Sequence, residues 1–258
     1  MLLAIDIGNT NIVIGFMEND KILFEARIAT DRLRTADQYS VEIKNMMKAY
    51  GVENSDIEDC IISSVVPPVL DSVRTGVIKI IGKNPMVVGP GLKTGLNIHM
   101  DNPSQVGSDR IVIAVAALAE YSAPLILMDL GTATTIEVVA PENIYIGGVI
   151  FPGVQISLEA LASHASQLPG ISLDKPKKVI GKNTVDCMRS GIMYGTAAML
   201  DGLIERMEEE LGQPATVIAT GGIAQFILPL CHRKIILEND LLLKCCLLYT
   251  SPSPRDIS

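Results

Sequence analysis

The sequence predicts a mixed α/β fold made of two copies of one unit that face each other across a cleft. Three observations carry that reading. An apolar run that closes on Asp-x-Gly and reopens as two further strands occurs near residues 2–29 and again near 125–150. Helical apolar stripes lie between these strand groups, the alternation expected of α/β layers. The chain is also long enough, at 258 residues with 48% apolar against 19% charged, to build two small cores. We therefore expect a first domain over residues 1–115 and a second over 116–244.

The elements follow in order. Leu2 to Ile5 is an apolar strand, Asp6-Ile7-Gly8-Asn9-Thr10-Asn11 is rich in turn formers, and Ile12 to Phe16 is a second strand. Lys21 to Ala29 supplies a third after a turn at Asn19-Asp20. Thr35 with Gln38 three residues on predicts a capping box. Ile43, Met46, Met47 and Tyr50 then fall at helical spacing, and Gly51 closes the helix. Cys60 to Val66 reads as a buried strand ending at Pro67-Pro68. Ile111 to Ala119 is apolar nearly all round, which predicts a helix buried between the halves, with the boundary near 110–124.

In the second half, Leu125 to Met128, Ile136 to Val139 and Ile144 to Ile150 are strands. Met199, Leu200, Leu203, Ile204, Met207 and Leu211 make a helical stripe stopped by Gly212, and Val217 to Ala219 is a strand running into Thr220-Gly221-Gly222. Aligned by eye, Asp6-x-Gly8-x-x-Asn11-Ile12 matches Asp129-x-Gly131-x-x-Thr134-x-Ile136.

Composition excludes several classes. With 21 Lys+Arg against 29 Asp+Glu, the net charge is −8 and no basic cluster exists. A nucleic-acid or anionic-membrane partner is therefore not expected. The apolar runs fall short of the ~18 residues of a membrane span, and the segment from Met1 to Asp6 has no basic region, so no signal peptide is expected. Five cysteines without C-x-x-C spacing fit reduced thiols in the cytoplasm better than disulfides or zinc. His99, His164 and His232 share no metal-ligand spacing, and no Walker, G-x-G-x-x-G or nucleophile-elbow motif is present.

A glycine turn after a strand exposes backbone N–H groups, and Asn and Thr add side-chain donors, a chemistry that suits phosphate oxygens. The acid at the strand end can hold Mg²⁺ directly or through water. One such turn alone is more often a hairpin whose Asp and Asn bond their own backbone. Two of them, Asp6-x-Gly8 and Asp129-x-Gly131-Thr132, with the later Gly221-Gly222 turn, make a pair able to grip a triphosphate, with room for a base or ribose at the third. Gly107-Ser108-Asp109-Arg110 opens the apolar helix. Asp109 there suits a base for a substrate hydroxyl and Arg110 an anion contact, while a structural ion pair accounts for them equally well. Gly181-Lys182-Asn183-Thr184 is equally a substrate contact or a helix cap.

Together these residues resemble the type III pantothenate kinases of the acetate and sugar kinase–Hsp70–actin superfamily, from Met1 to about Lys244. The motifs are Asp6 to Asn11, Ile62 to Pro68, Val88 to Gly95, Asp101-Asn102-Pro103, Gly107 to Arg110, Asp129 to Thr135, Gly181 to Thr184 and Ala219 to Gly222. The resemblance implies duplicated ribonuclease H-like domains with mixed sheets and a nucleotide cleft between them. It implies that Asp6, Ile7, Gly8, Asn9, Thr10, Asn11, Ile12, Val13 and Thr132 bind ATP, with Asp6 toward Mg²⁺ and Asp129 toward a monovalent cation, K⁺ or NH₄⁺. It further implies pantothenate contacts from Met100, Gly107, Ser108, Asp109, Arg110 and Thr184, Asp109 as the base, and a cytoplasmic homodimer making 4′-phosphopantothenate on the way to coenzyme A.

Two departures from the family pattern stand out. Many relatives carry Tyr where this chain has Met100, which keeps apolar contact and loses a hydroxyl. After Leu241 to Lys244 the family continues with Gly and an amphipathic helix, whereas residues 245–258 read as an anomalous tail resembling translated adapter sequence. Ser251-Pro252-Ser253-Pro254 is expected to be non-helical and disordered, leaving the second domain without a covering helix.

Overall fold

The structure is a computed structural model and describes residues 1–18, 21–88 and 95–250, without the side chains of 246–250. The turn expected at Asn19-Asp20, most of the Val88 to Gly95 motif and the Ser251 to Ser258 segment lie outside the described residues.

The elements run β1 (Leu2–Ile7), β2 (Asn11–Glu18), β3 (Lys21–Ala29), α1 (Ala36–Ala49), β4 (Asp59–Ser64), α2 (Pro67–Ile81), β5 (Met86–Val87) and β6 (Asn97–Ile98). They continue with α3 (Ser108–Glu120), β7 (Leu125–Leu130), β8 (Ala133–Ala140), β9 (Ile144–Pro152), α4 (Val154–His164) and α5 (Thr184–Leu211). The last four are β10 (Thr216–Thr220), α6 (Ala224–Ile227), β11 (Ile236–Leu237) and α7 (Leu241–Thr250).

The first sheet has the order β3-β2-β1-β4-β5, and the second, read from its other edge, β6-β9-β8-β7-β10-β11. Strip off β6 and the two orders are the same. The directions match too. β1–β2 and β2–β3 are antiparallel and β1–β4 parallel, as are β7–β8, β8–β9 and β7–β10 in turn. The duplicated, mixed-sheet fold is thus present. Its register corrects the alignment by eye. Asp6 pairs with Val13 and Ile7 with Ile12, whereas Asp129 pairs with Thr135 and Leu130 with Thr134. The second turn is one residue shorter, so Thr134 stands where Ile12 does and Ala133 where Asn11 does.

By contacts the chain forms two units, one from the described residues of 1–94, 104–116 and 240–258, the other from 95–103 and 117–239. Helix α3 crosses the division, and its Val112, Ile113, Ala114, Ala116 and Ala117 are buried.

In the first unit, Leu3, Ile5 and Ile7 of β1 with Ile12, Ile14, Cys60 and Ile62 turn one sheet face toward α1 and α2. Thr35 caps α1 with the expected reciprocal box to Gln38, worth about 1 kcal/mol. Tyr39, Ile43 and Met47 form its buried face. Pro67 and Pro68 start α2, where their missing N–H groups cost nothing, and Gly82 at φ +70° ends it. The opposite face of the sheet meets α7, which lies against β1 and β4. A Cβ on Gly15 would come within 2.8 Å of Leu243 Cδ1 there.

This corrects the expectation for the C-terminal segment. Residues 245–250 continue α7 and Cys245 is fully buried. Nothing before Pro252 interrupts an apolar helix, and this one belongs with the first unit's sheet, not the second's.

In the second unit, Ile126, Met128 and Leu130 of β7, Ile136 and Val138 of β8 and Val217 and Ala219 of β10 pack with Met193, Ala197, Leu200 and Ile204 of α5. The α5 helix begins fifteen residues before the stripe read from the sequence, at Thr184, and ends at Gly212 in the left-handed region. Of that stripe Leu200 and Ile204 are buried and Met199 is exposed.

Candidate active site

Strand β1 ends in Asp6-Ile7-Gly8, and the chain turns back into β2. Three turn carbonyls are tied inward: Gly8 N–H donates to Asn11 O at 3.0 Å, Thr30 N–H to Thr10 O at 2.9 Å, and the Thr30 hydroxyl to Gly8 O at 2.7 Å. The side chains of Asn9, Thr10 and Asn11 are left exposed at its outer edge. That is a donor-rich rim of the kind phosphate oxygens take. Ile7 and Ile12 are fully buried in the core, so only their backbone can meet a ligand; Val13 is half-buried.

Asp6 is 7% exposed, and on the parallel neighbour β4 its partner is Ser63. Paired positions in a parallel ladder point to the same face. The Ser63 hydroxyl is fully buried and has no hydrogen-bond partner, in a fold where such groups are almost always satisfied. A carboxylate beside a spare hydroxyl fits a hydrated Mg²⁺, whose waters need acceptors. No group of three or more His, Cys, Asp or Glu forms a metal cage among the described residues. A cation at Asp6 would therefore share its coordination with phosphates and water.

The next residue of β4, Ser64, is the partner of Ile7. Its carbonyl accepts the Ser108 hydroxyl at 2.9 Å. The start of α3 is thereby fastened one strand away from the Asp6 turn, within the same unit. Asp109 and Arg110 follow, both half-buried. Asp109 Oδ1 accepts from Arg110 N–H at 2.8 Å, and a Cβ on Gly107 would collide with that same carboxylate oxygen. The carboxylate folds back over Gly107, and a side chain there would have to displace it. Asp6, Gly8, Ser108, Asp109 and Arg110 are thus brought to one end of one sheet.

The second turn is built differently in detail. Asp129 is half-buried and Thr132 exposed. Gly131 N–H donates to Ala133 O at 3.1 Å, and Gly153 N–H to Thr132 O at 3.1 Å. A Cβ at Gly153 would run into Gly131 O and Thr132 O. Gly221, at φ +101°, would place a Cβ 2.6 Å from Leu130 O and 2.8 Å from Asp129 Oδ1. A side chain at Gly221 would thus run into the Asp129 turn, which fixes this position as glycine. The carboxylate and carbonyl oxygens gathered there are hard donors that fit a monovalent cation.

Thr184 is exposed at the first position of α5, while Asn183 is its N-cap, accepting Asp186 N–H at 2.9 Å. Met100 lies half-buried against Gly147. Both belong to the second unit. A cavity of about 1120 Å³ runs along α5 past Ile180, Gly191, Tyr194, Gly195 and Arg233, and of the segment from Gly181 to Thr184 only Gly181 lines it.

Sequence reasoning gave no role to Ser63, Ser64, Thr30 or Gly153. The signal for the serines was a Ser-Ser pair ending an otherwise apolar strand, Cys60-Ile61-Ile62. Thr30 and Gly153 act through pairings that no local pattern announces.

Comparison with known proteins gives a family and a fold. A family model described as type III pantothenate kinase matches residues 2–206. A type III pantothenate kinase of Exiguobacterium sibiricum is 48% identical over 227 residues, 88% of this chain and 89% of that one. Among solved structures, one assigned to the Baf family of transcriptional activators from Campylobacter jejuni has a TM-score of 0.61 at 18% identity, covering 98% and 99% of the two chains. The activator of 2-hydroxyisocaproyl-CoA dehydratase from Clostridium difficile, with bound ADPNP, has a TM-score of 0.53 at 13% identity over 95% of this chain and 91% of that one. These two structures support the fold alone. No helix among the described residues is long and apolar enough to cross a membrane.

Proposed function

Since the chain belongs to the type III pantothenate kinase family, we propose that it transfers the γ-phosphoryl group of ATP to the 4′-hydroxyl of pantothenate, the first step toward coenzyme A. The observation that carries the residue-level reading is the Ser108–Ser64 hydrogen bond, which fastens the Asp109 helix start beside the strand that carries Asp6.

In this reading the exposed Asn9, Thr10 and Asn11, the backbone from Asp6 to Val13 and the Thr132 hydroxyl take the ATP phosphates. Asp6 holds Mg²⁺ directly or through water, and the ion neutralises phosphate charge. Asp129 holds the monovalent cation, K⁺ or NH₄⁺. Gly107, Ser108, Arg110, Met100 and Thr184 orient pantothenate. Asp109 accepts the proton of the substrate hydroxyl as that oxygen bonds to the γ-phosphorus. The bond from phosphorus to the bridging oxygen breaks, and ADP leaves with that electron pair. Phosphoryl transfer asks the protein mainly for positioning and charge neutralisation, which these groups supply. The protein acts as a cytoplasmic homodimer.

Product analysis tests the reading. With Mg-ATP, K⁺ and pantothenate, mass spectrometry should find 4′-phosphopantothenate in amounts equal to the ADP formed. ADP without a phosphorylated pantothenate would refute it. A folded protein that binds ATP without turnover would be a nucleotide-binding regulator instead.

A further inference from the structure

The chemistry above leaves unused a buried polar pair in the second unit. Glu137 is 2% exposed and Tyr145 fully buried, and the Tyr145 hydroxyl donates to Glu137 Oε2. Carboxylates are seldom buried so deeply unless a specific arrangement depends on them. The pair straddles an irregularity between β8 and β9. Val138 lies opposite Gly147 and Val139 opposite Tyr145, so Ile146 is the extra residue of a bulge. Glu137, opposite Gly148, stands on one side of that bulge and Tyr145 on the other. The side-chain bond spans it.

Tyr145 has a second hold. Its carbonyl accepts His99 N–H at 2.8 Å, and Ile98 of β6 is its parallel partner. The residue after His99 is Met100. Inside the bulge, Gly147 sits at φ +117°, and the Met100 sulfur lies 2.9 Å from where a Cβ on Gly147 would be. Tyr145 therefore fixes the floor on which Met100 rests through its hydroxyl, and fixes the strand that delivers Met100 through its carbonyl.

We infer that Tyr145 and Glu137 are positioning residues for pantothenate recognition: they lock the β8–β9 bulge so that Gly147 seats Met100 in the orientation that meets the substrate. This rests on the assignment of Met100 as a substrate contact. Bulges commonly re-aim side chains next to active sites, and an aliphatic thioether with three rotatable bonds needs such a seat more than a rigid ring does.

The test is steady-state kinetics on Tyr145→Phe, Glu137→Gln, Met100→Ala and the double variant Tyr145→Phe/Met100→Ala, with melting temperatures recorded. Tyr145→Phe should raise KM for pantothenate about fivefold to tenfold, with kcat and KM for ATP within twofold of the parent. Glu137→Gln, which still accepts the tyrosine proton, should stay within twofold throughout. The double variant should be no worse than Met100→Ala alone, because the pair acts only through Met100. If Met100→Ala raises KM for pantothenate but Tyr145→Phe does not, or if the two losses multiply, the positioning role is wrong. If Met100→Ala leaves that KM unchanged, the contact assignment fails and the inference with it. Should Tyr145→Phe not fold, Gly147→Ala tests the same seat directly, and an unchanged pantothenate KM in that variant would equally overturn the inference.

Discussion

The Ser108 hydroxyl donates to the Ser64 carbonyl at 2.9 Å, and Ser64 is the ladder partner of Ile7, the residue after Asp6. This one bond links the helix start proposed for the substrate to the strand next to the one proposed for the nucleotide. Replacing Ser108 with Ala should leave the fold intact at a cost of about 1 kcal/mol. Turnover should fall more than ATP binding, with kcat/KM for pantothenate down about fivefold to tenfold and nucleotide affinity within twofold. Kinetics alongside calorimetric ATP binding would check it.

Asp109→Asn keeps the shape of the side chain and removes the base. The expected loss in kcat is about 10²–10⁴-fold with ATP affinity retained. Near-parental kcat would mean that the proton goes elsewhere.

Asp129 sits under Gly221 with the Leu130 carbonyl beside it. Asp129→Ala should abolish activation by K⁺, read as ADP release against K⁺ concentration at fixed Mg-ATP. Unchanged K⁺ dependence would move the cation site.

Gly221→Ala should be far more damaging than a typical Gly to Ala change. It forces a side chain into φ +101° and to within 2.8 Å of Asp129 Oδ1. We expect a loss of about 1–3 kcal/mol, seen as a lower denaturation midpoint.

Burial, and then the Asp201 carboxylate, push the Cys231 thiol up to about 12. Burial first and Asp59 second raise Cys60 likewise. Both folded values lie above the unfolded ones. The stability linked to them is therefore fully present below the ordinary thiol range and is lost as pH climbs through the raised values. At pH 8, iodoacetamide should label exposed Cys187 well ahead of Cys60 and Cys231, as peptide mapping would show.

The parts of this fold that were legible in the sequence are those written locally. The Thr35–Gln38 box, the Gly51 and Gly212 helix stops, and the repeated Asp-x-Gly strand ends all depend on residues within a few positions of one another. What was missed depends on pairing across the chain. A one-residue shortening of the second turn shows only in the β7–β8 register. That β6 joins β9, bringing Met100 to Gly147, is decided by contacts between segments some fifty residues apart. Helix α7 runs on to Thr250 where the sequence departs from the family pattern after Lys244, because the apolar run before Pro252 is uninterrupted. The candidate site divides the same way. Asp6, Asp109 and Asp129 announce themselves by motif, whereas Ser63 matters only because β4 lies parallel to β1.

The most direct measurement is ADP release by the purified protein with Mg-ATP and K⁺, with and without pantothenate. The account predicts release that depends on pantothenate and that Asp109→Asn abolishes while still binding ATP. Release at the same rate without pantothenate would contradict it.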